Sequence, residues 1–178
     1  MSLRFKGFTV IELIVTVGII VGLLAIGAYT FYDALPGIRV KSAARELYGS
    51  LQRARITAMS TSTTITVTFN ASTNSYTVGG DTIPMSTANP GVQFGAVAGT
   101  NAWDTGRGLD NGIAIDADGT LPVDQFSIDR RGRPSKDGEI YLVHRKDLAS
   151  GRRDRTYCVA IRQIGTYRLL QYNGTTWE

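Results

Sequence analysis

The sequence predicts an α+β chain in which one long N-terminal helix, half transmembrane and half amphipathic, packs on a small antiparallel β-sheet domain. Three observations carry this. An apolar run fills residues 8–29, a single apolar stripe at helical spacing follows it, and beyond residue 61 apolar and polar residues alternate with period two.

Between Phe8 and Tyr29 the only polar side chains are Thr9, Glu12 and Thr16. About 20 such residues suffice to span a bilayer as a helix. Arg4 and Lys6 precede the run, so the positive-inside rule leaves the short N-terminus in the cytoplasm and sends the rest across. "GIIVG", Gly18 to Gly22, has the small-xxx-small spacing that lets helices approach closely, although glycines at that spacing also occur by chance. Glu12 is the anomaly. A carboxylate near the middle of a membrane helix costs about 2.5–3.5 kcal/mol, so one close to the end of the segment requires a reason. A conventional secretory signal peptide cleaved at "AIGA" is the plainer alternative, and it leaves Glu12 unexplained.

Past the run, "LPGIRVKSAARELYGSLQRARITAMS" sets Val40, Ala44, Leu47, Leu51, Ala54 and Ala58 at steps of four and three. That is one helix face, with Arg39, Lys41, Arg45, Arg53 and Arg55 largely off it. Pro36 and Gly37 are expected to bend or loosen the join. A continuous helix would cover about 50 residues and about 80 Å.

"KGFTVIEL", Lys6 to Leu13, resembles the type IV prepilin signature. The resemblance implies a leader of residues 1–7, cut by a prepilin peptidase between Gly7 and Phe8, with N-methylation of the new first residue. It assigns residues 8–35 to a transmembrane and filament-core helix, 36–60 to the amphipathic helix of a globular domain, and 61–178 to a β-rich domain. Glu12 matches the glutamate thought to pair with the N-terminal amine of a neighbouring subunit. An opposite charge in a low-dielectric surround offsets the cost of the carboxylate.

The strands follow in order. "TTITVTFN" alternates Ile65, Val67 and Phe69 against threonines, and "ASTNS" turns it into "YTV" as a hairpin. Residues 79–125 are loop-rich around "VQF" and "GIAI", with Trp103 expected to anchor one loop to the core unless it faces a partner. "QFSIDRRGRP", "EIYLVHR", "TYCVAIR" and "TYRLLQYNG" resume the strands, the last two joined across "QIG". The helix "AARELYGSLQRARITAMS", the strand and turn "FSIDRRGRP" and the closing basic hairpin are similar to the GspH/FimT-like minor pilins and pseudopilins. This implies a pilin-like fold and a structural subunit of a type IV pilus or type II secretion filament, incorporated at or near its tip. The implied partners are other pilin or pseudopilin subunits, the prepilin peptidase and an inner-membrane assembly platform. The implied location is the inner membrane, single-pass, with the globular domain on the periplasmic side.

Composition narrows the chemistry. At 178 residues, 43% hydrophobic and 19% charged, the chain suits the apolar segment plus one folded domain. One histidine and one cysteine exclude a histidine- or cysteine-rich metal site and an intrachain disulfide. Cys158, in an alternating strand, is expected to be a buried structural thiol, and His144, at a strand end, a satisfied or exposed side chain with no nucleophile to serve. "DADGT", Asp116 to Thr120, lacks the twelve-residue calcium loop and is expected to be a plain turn. No enzyme motif is present, and no catalytic residue, cofactor or metal is expected.

The net charge of +4 is unevenly spread, with five cations against one anion in residues 36–60, one against six in 61–128, and eleven against five in 129–168. "DRRGRP" and "GRRDR" supply Arg130, Arg131, Arg133, Arg152, Arg153 and Arg155, which on one surface would suit DNA phosphates. Some FimT-like pilins take part in DNA uptake, so the resemblance makes DNA a candidate partner. The alternative is that these arginines are solvated or pair with nearby aspartates.

Overall fold

A computed structural model describes residues 8–100, 103, 113–115 and 123–178. The chain divides into two compact units at the Leu35–Pro36 bond. Helix α1, Val10–Thr61, belongs to both and includes Pro36 and Gly37. It is followed by β1 (Ile65–Asn70), β2 (Ser75–Val78), β3 (Asp81–Pro84), α2 (Met85–Ala88), β4 (Val92–Phe94) and β5 (Ile113–Ile115). Then come β6 (Val123–Ile128), β7 (Gly138–His144), α3 (Arg145–Ser150), β8 (Tyr157–Arg162) and β9 (Thr166–Gln171).

In the first unit the apolar side chains of α1 face outward, from Val10 at 75% exposed to Ile26 at 70%. Its best window has a mean hydropathy of 2.6 with none of it buried, long and apolar enough to cross a membrane.

The second unit contains two antiparallel sheets where the strand pattern led to an expectation of one. The first has the order β3-β2-β1-β6 and the second β4-β7-β8-β9, with β5 also on β7. Alternation along a strand reveals which face it buries but not which strand it pairs with. β4 and β5 share one edge of β7 in tandem, Phe94 opposite Leu142 and Ile113 opposite Ile140. The expected hairpins form, with Asn70 opposite Ser75 and Arg162 opposite Thr166.

The helical stripe lies against both sheets. Val40, Ala44, Leu47, Leu51, Ala54 and Ala58 are buried in one cluster with Val67, Phe69 and Phe126 of the first sheet and Ile140, Val159 and Ile161 of the second. Alanines flank Leu47 and Leu51 along this face, and the two leucines fill the space between the helix and the sheets. A second, smaller cluster covers the far face of the second sheet, where Tyr141, Cys158 and Ala160 meet Trp103, Leu170 and Trp177.

Candidate functional site

Gly7 of the expected processing site lies outside the described residues, and Phe8 is 83% exposed ahead of α1. Glu12 has a local role that the prepilin resemblance does not mention. The Thr9 backbone N–H and hydroxyl both donate to Glu12 Oε2, at 3.0 and 2.9 Å, and the Glu12 N–H donates back to Thr9 Oγ1 at 3.3 Å. This is a capping box on the first turn of α1, a helix start that satisfies otherwise orphaned N–H groups and sets a carboxylate at the positive end of the helix dipole. Its signal, Thr-x-x-Glu, stands in the sequence as "TVIE".

The six arginines do not form one surface. Arg155 lies against Gly37, with its Cδ 3.2 Å from where a β-carbon would stand. Gly132, in the turn of Arg130, Arg131 and Arg133, backs onto Arg55 and Met59, where an added β-carbon would stand 2.9 Å from either side chain. Gly37 and Arg55 are eighteen helical residues apart, about 27 Å. The two arginine groups therefore sit at opposite ends of the second unit, joined by the length of β8.

Local ion pairs occupy part of each group. Asp129 Oδ1 accepts from the N–H of Arg131 and of Arg133, both at 2.8 Å, and its other oxygen lies 3.4 Å from the Arg133 guanidinium. These donors hold the Asp129 carboxyl below its ordinary range, the Arg133 N–H foremost. Arg152 meets Asp154 at 3.0 Å, Arg155 meets Asp147 at 3.7 Å, and Arg153 Nη1 donates to the Gly99 carbonyl at 2.8 Å. Arg130 and Arg131 face solvent.

His144 closes β7 and caps α3, its Nδ1 accepting the Lys146 N–H at 3.1 Å. The ring is buried against Gly91, whose φ of +84° and missing side chain make room for it. Burial lowers its pKa, Asp147 pulls the other way, and Arg39 and Lys146 add to the lowering. Among the described residues, Oδ2 of Asp147 has no hydrogen-bond partner.

Sequence reasoning missed a buried polar cluster on the outer face of the second sheet. Glu139, fully buried, accepts from the Tyr141 hydroxyl on one oxygen and from Arg162 Nη2 at 3.3 Å on the other. The Arg162 guanidinium also lies 4.5 Å from the centre of the Trp103 ring, and the Trp103 N–H donates to the Tyr141 oxygen at 3.1 Å. Trp103 thus anchors its loop, as expected. Cys158 is buried beside Tyr141, and burial followed by the Glu139 charge pushes its thiol well up, which makes it inert as a nucleophile. The segment Asp116 to Thr120 lies outside the described residues.

An open groove of about 770 Å³ runs between α1 and the first sheet. Threonine hydroxyls, from Thr57 to Thr77, share its lining with Ile65, Val78 and Ile83, and Arg53 and Asp81 are its charged side chains.

The family model of the type II transport protein GspH matches residues 43–165, most of the chain and most of its second unit. No curated protein shows significant similarity. Among solved structures the chain is similar to the type IV minor pilin FimU of Pseudomonas aeruginosa, with 15% identity over 78% of this chain and 92% of that one and a TM-score of 0.42.

Proposed function

Since this chain belongs to the GspH family of type II transport proteins, we propose that it is a structural subunit of a filament of the type IV pilin kind, processed between Gly7 and Phe8 and held in the inner membrane until assembly. The placing of the subunit at or near the filament tip follows the resemblance of the sequence to minor pilins.

One observation carries this reading. The large apolar side chains of residues 8–26 are exposed, with Phe8, Val10, Ile11, Leu13 and Ile14 each more than half exposed. At about 1.5–3 kcal/mol for each large apolar side chain left in water, such a helix is stable only in lipid or among other helices. The membrane meets the first condition and a filament core the second. Glu12 then distinguishes the two states, because a carboxylate costs more in hydrocarbon than beside the terminal amine of a neighbour.

Two substitutions separate the charge of Glu12 from its capping role. Glu12→Gln keeps an acceptor for Thr9, and Glu12→Val removes both functions. Cleavage after Gly7 is expected in both variants, and cross-linking to neighbouring subunits is expected to fall to a similar low level in both. Wild-type incorporation of the glutamine variant would rule out the charge pairing.

A further inference from the structure

Several cations gather where the chain enters the second unit. Two residues after Gly37, Arg39 Nη1 donates to the Pro90 carbonyl at 3.3 Å, and the next carbonyl, Gly91, accepts from Arg145 N at 2.8 Å. Lys146 follows on α3, and the turn after that helix returns Arg152 N to the Asp147 carbonyl at 3.0 Å with Arg153 beside it. Arg145, Lys146 and Arg153 are exposed, and so is Leu148 on α3 at 39%. Of the acidic groups here, Asp147 is buried against Arg155, Asp154 is matched by Arg152, Glu46 accepts from Asn89 Nδ2 at 3.1 Å, and Asp33 precedes Arg39 on α1; these four stand against Arg39, Lys41, Arg45, Arg145, Lys146, Arg152, Arg153 and Arg155. The outward surplus is positive, with an apolar side chain inside it.

By covalent order Arg39, a member of this surplus, follows the apolar run by ten residues. Phe31 and Tyr32, with ring centres 6.3 Å apart, follow it and have the composition of a membrane–water interface. Arg39 is seven residues past Tyr32, about 10 Å of helical rise, comparable to the Debye length of about 8 Å at physiological ionic strength.

We infer that this end of the second unit is a docking surface for anionic phospholipid headgroups, with Arg39, Arg145, Lys146 and Arg153 meeting phosphates and Leu148 entering the interface. The inference rests on the reading of residues 8–29 as a membrane span. Each cation near an anionic leaflet favours the docked form about fivefold, so several make docking dominant at low salt and reversible at high salt. Extraction into a filament then has to break this contact as well as remove the helix from lipid.

The test uses the full chain with Leu148→Cys carrying an environment-sensitive fluorophore, Cys158 being buried and left unlabelled. The protein is reconstituted in vesicles of phosphatidylcholine alone or of an equal mixture with phosphatidylglycerol. The label is expected to be shielded from an aqueous quencher only in the mixed vesicles, and to be released by added salt. Arg145→Gln with Lys146→Gln is expected to lower the docked-to-free ratio about twenty-fivefold, whereas Arg130→Gln with Arg131→Gln, at the far end of the unit, leaves it unchanged. Equal shielding in both vesicles, or equal loss in both double variants, overturns the docking surface. Shielding that arises only when partner subunits are added does so too, and assigns the face to protein. Failure of the chain to float with either vesicle overturns the membrane span, and the docking surface with it.

Discussion

Removal of Arg162 leaves the Glu139 carboxylate in the interior with the Tyr141 hydroxyl as its neighbour. Glu139 is 0% exposed and its Oε1 lies 3.3 Å from Arg162 Nη2, whose side chain is 19% exposed. Breaking a buried pair by deleting one partner costs about 3–5 kcal/mol. The partial exposure of the arginine sets Arg162→Met near the lower end, about 3 kcal/mol, of which the lost contact with Trp103 accounts for about 0.5–1 kcal/mol. For a unit of this size that is a fall in Tm of about 6–12 °C. Replacing both partners, Glu139→Leu with Arg162→Met, removes the stranded charge as well, and is expected to cost less than Arg162→Met alone. The assay is urea unfolding of Glu139→Leu, Arg162→Met and the double variant, followed by near-ultraviolet circular dichroism, which reports the Trp103, Tyr141 and Trp177 environment. The coupling between the two sites should reach about 2 kcal/mol. Costs that add to within about 0.5 kcal/mol would refute a mutually dependent pair.

Two further outcomes are expected. His144 is the chain's one histidine, so its ring protons titrate alone in an NMR spectrum, with a midpoint below the ordinary value of about 6.5. The unfolded chain then binds this proton before the folded one does, so His144 makes stability fall as pH drops below about 6.5, and a midpoint at or above that value contradicts the burial argument. Asp147, raised by burial, acts in the opposite sense in the carboxylate range, where the folded chain takes up its proton first. Gly132→Ala forces a β-carbon into a φ of +75°, against Arg55 and Met59 at 2.9 Å. It should lower stability by about 1–2 kcal/mol in thermal unfolding, while Gly151→Ala, with φ +72° and open space around it, isolates the part of that cost due to the backbone.

Much of the fold is legible in local pattern. Valine, alanine and leucine at steps of three and four name the buried face of α1, and threonines alternating with Ile65, Val67 and Phe69 name β1. Pairing across distance is not legible. Nothing in "VQF" or "GIAI" reveals that both add to one edge of β7, and so a single sheet was expected where two exist. The same gap affects the arginines, since "DRRGRP" and "GRRDR" read alike in composition but β8 holds them at opposite ends. Glu139, Tyr141 and Arg162 become a cluster only through the β7–β8 register, which sets Tyr141 opposite Cys158. The capping box is a different case, for Thr9 and Glu12 carry its spacing openly. The resemblance to the prepilin signature rests on the same residues, and the proposed pairing would give the same carboxylate a second, intermolecular role.

The mass of the mature protein's N-terminal peptide tests the central claim most directly. The proposed processing predicts a mature chain that begins at Phe8, one methyl group heavier than the plain sequence, and that retains Glu12. A mature chain beginning near Ala28 would have lost Glu12 and the apolar run together, and would contradict both the membrane anchor and the filament.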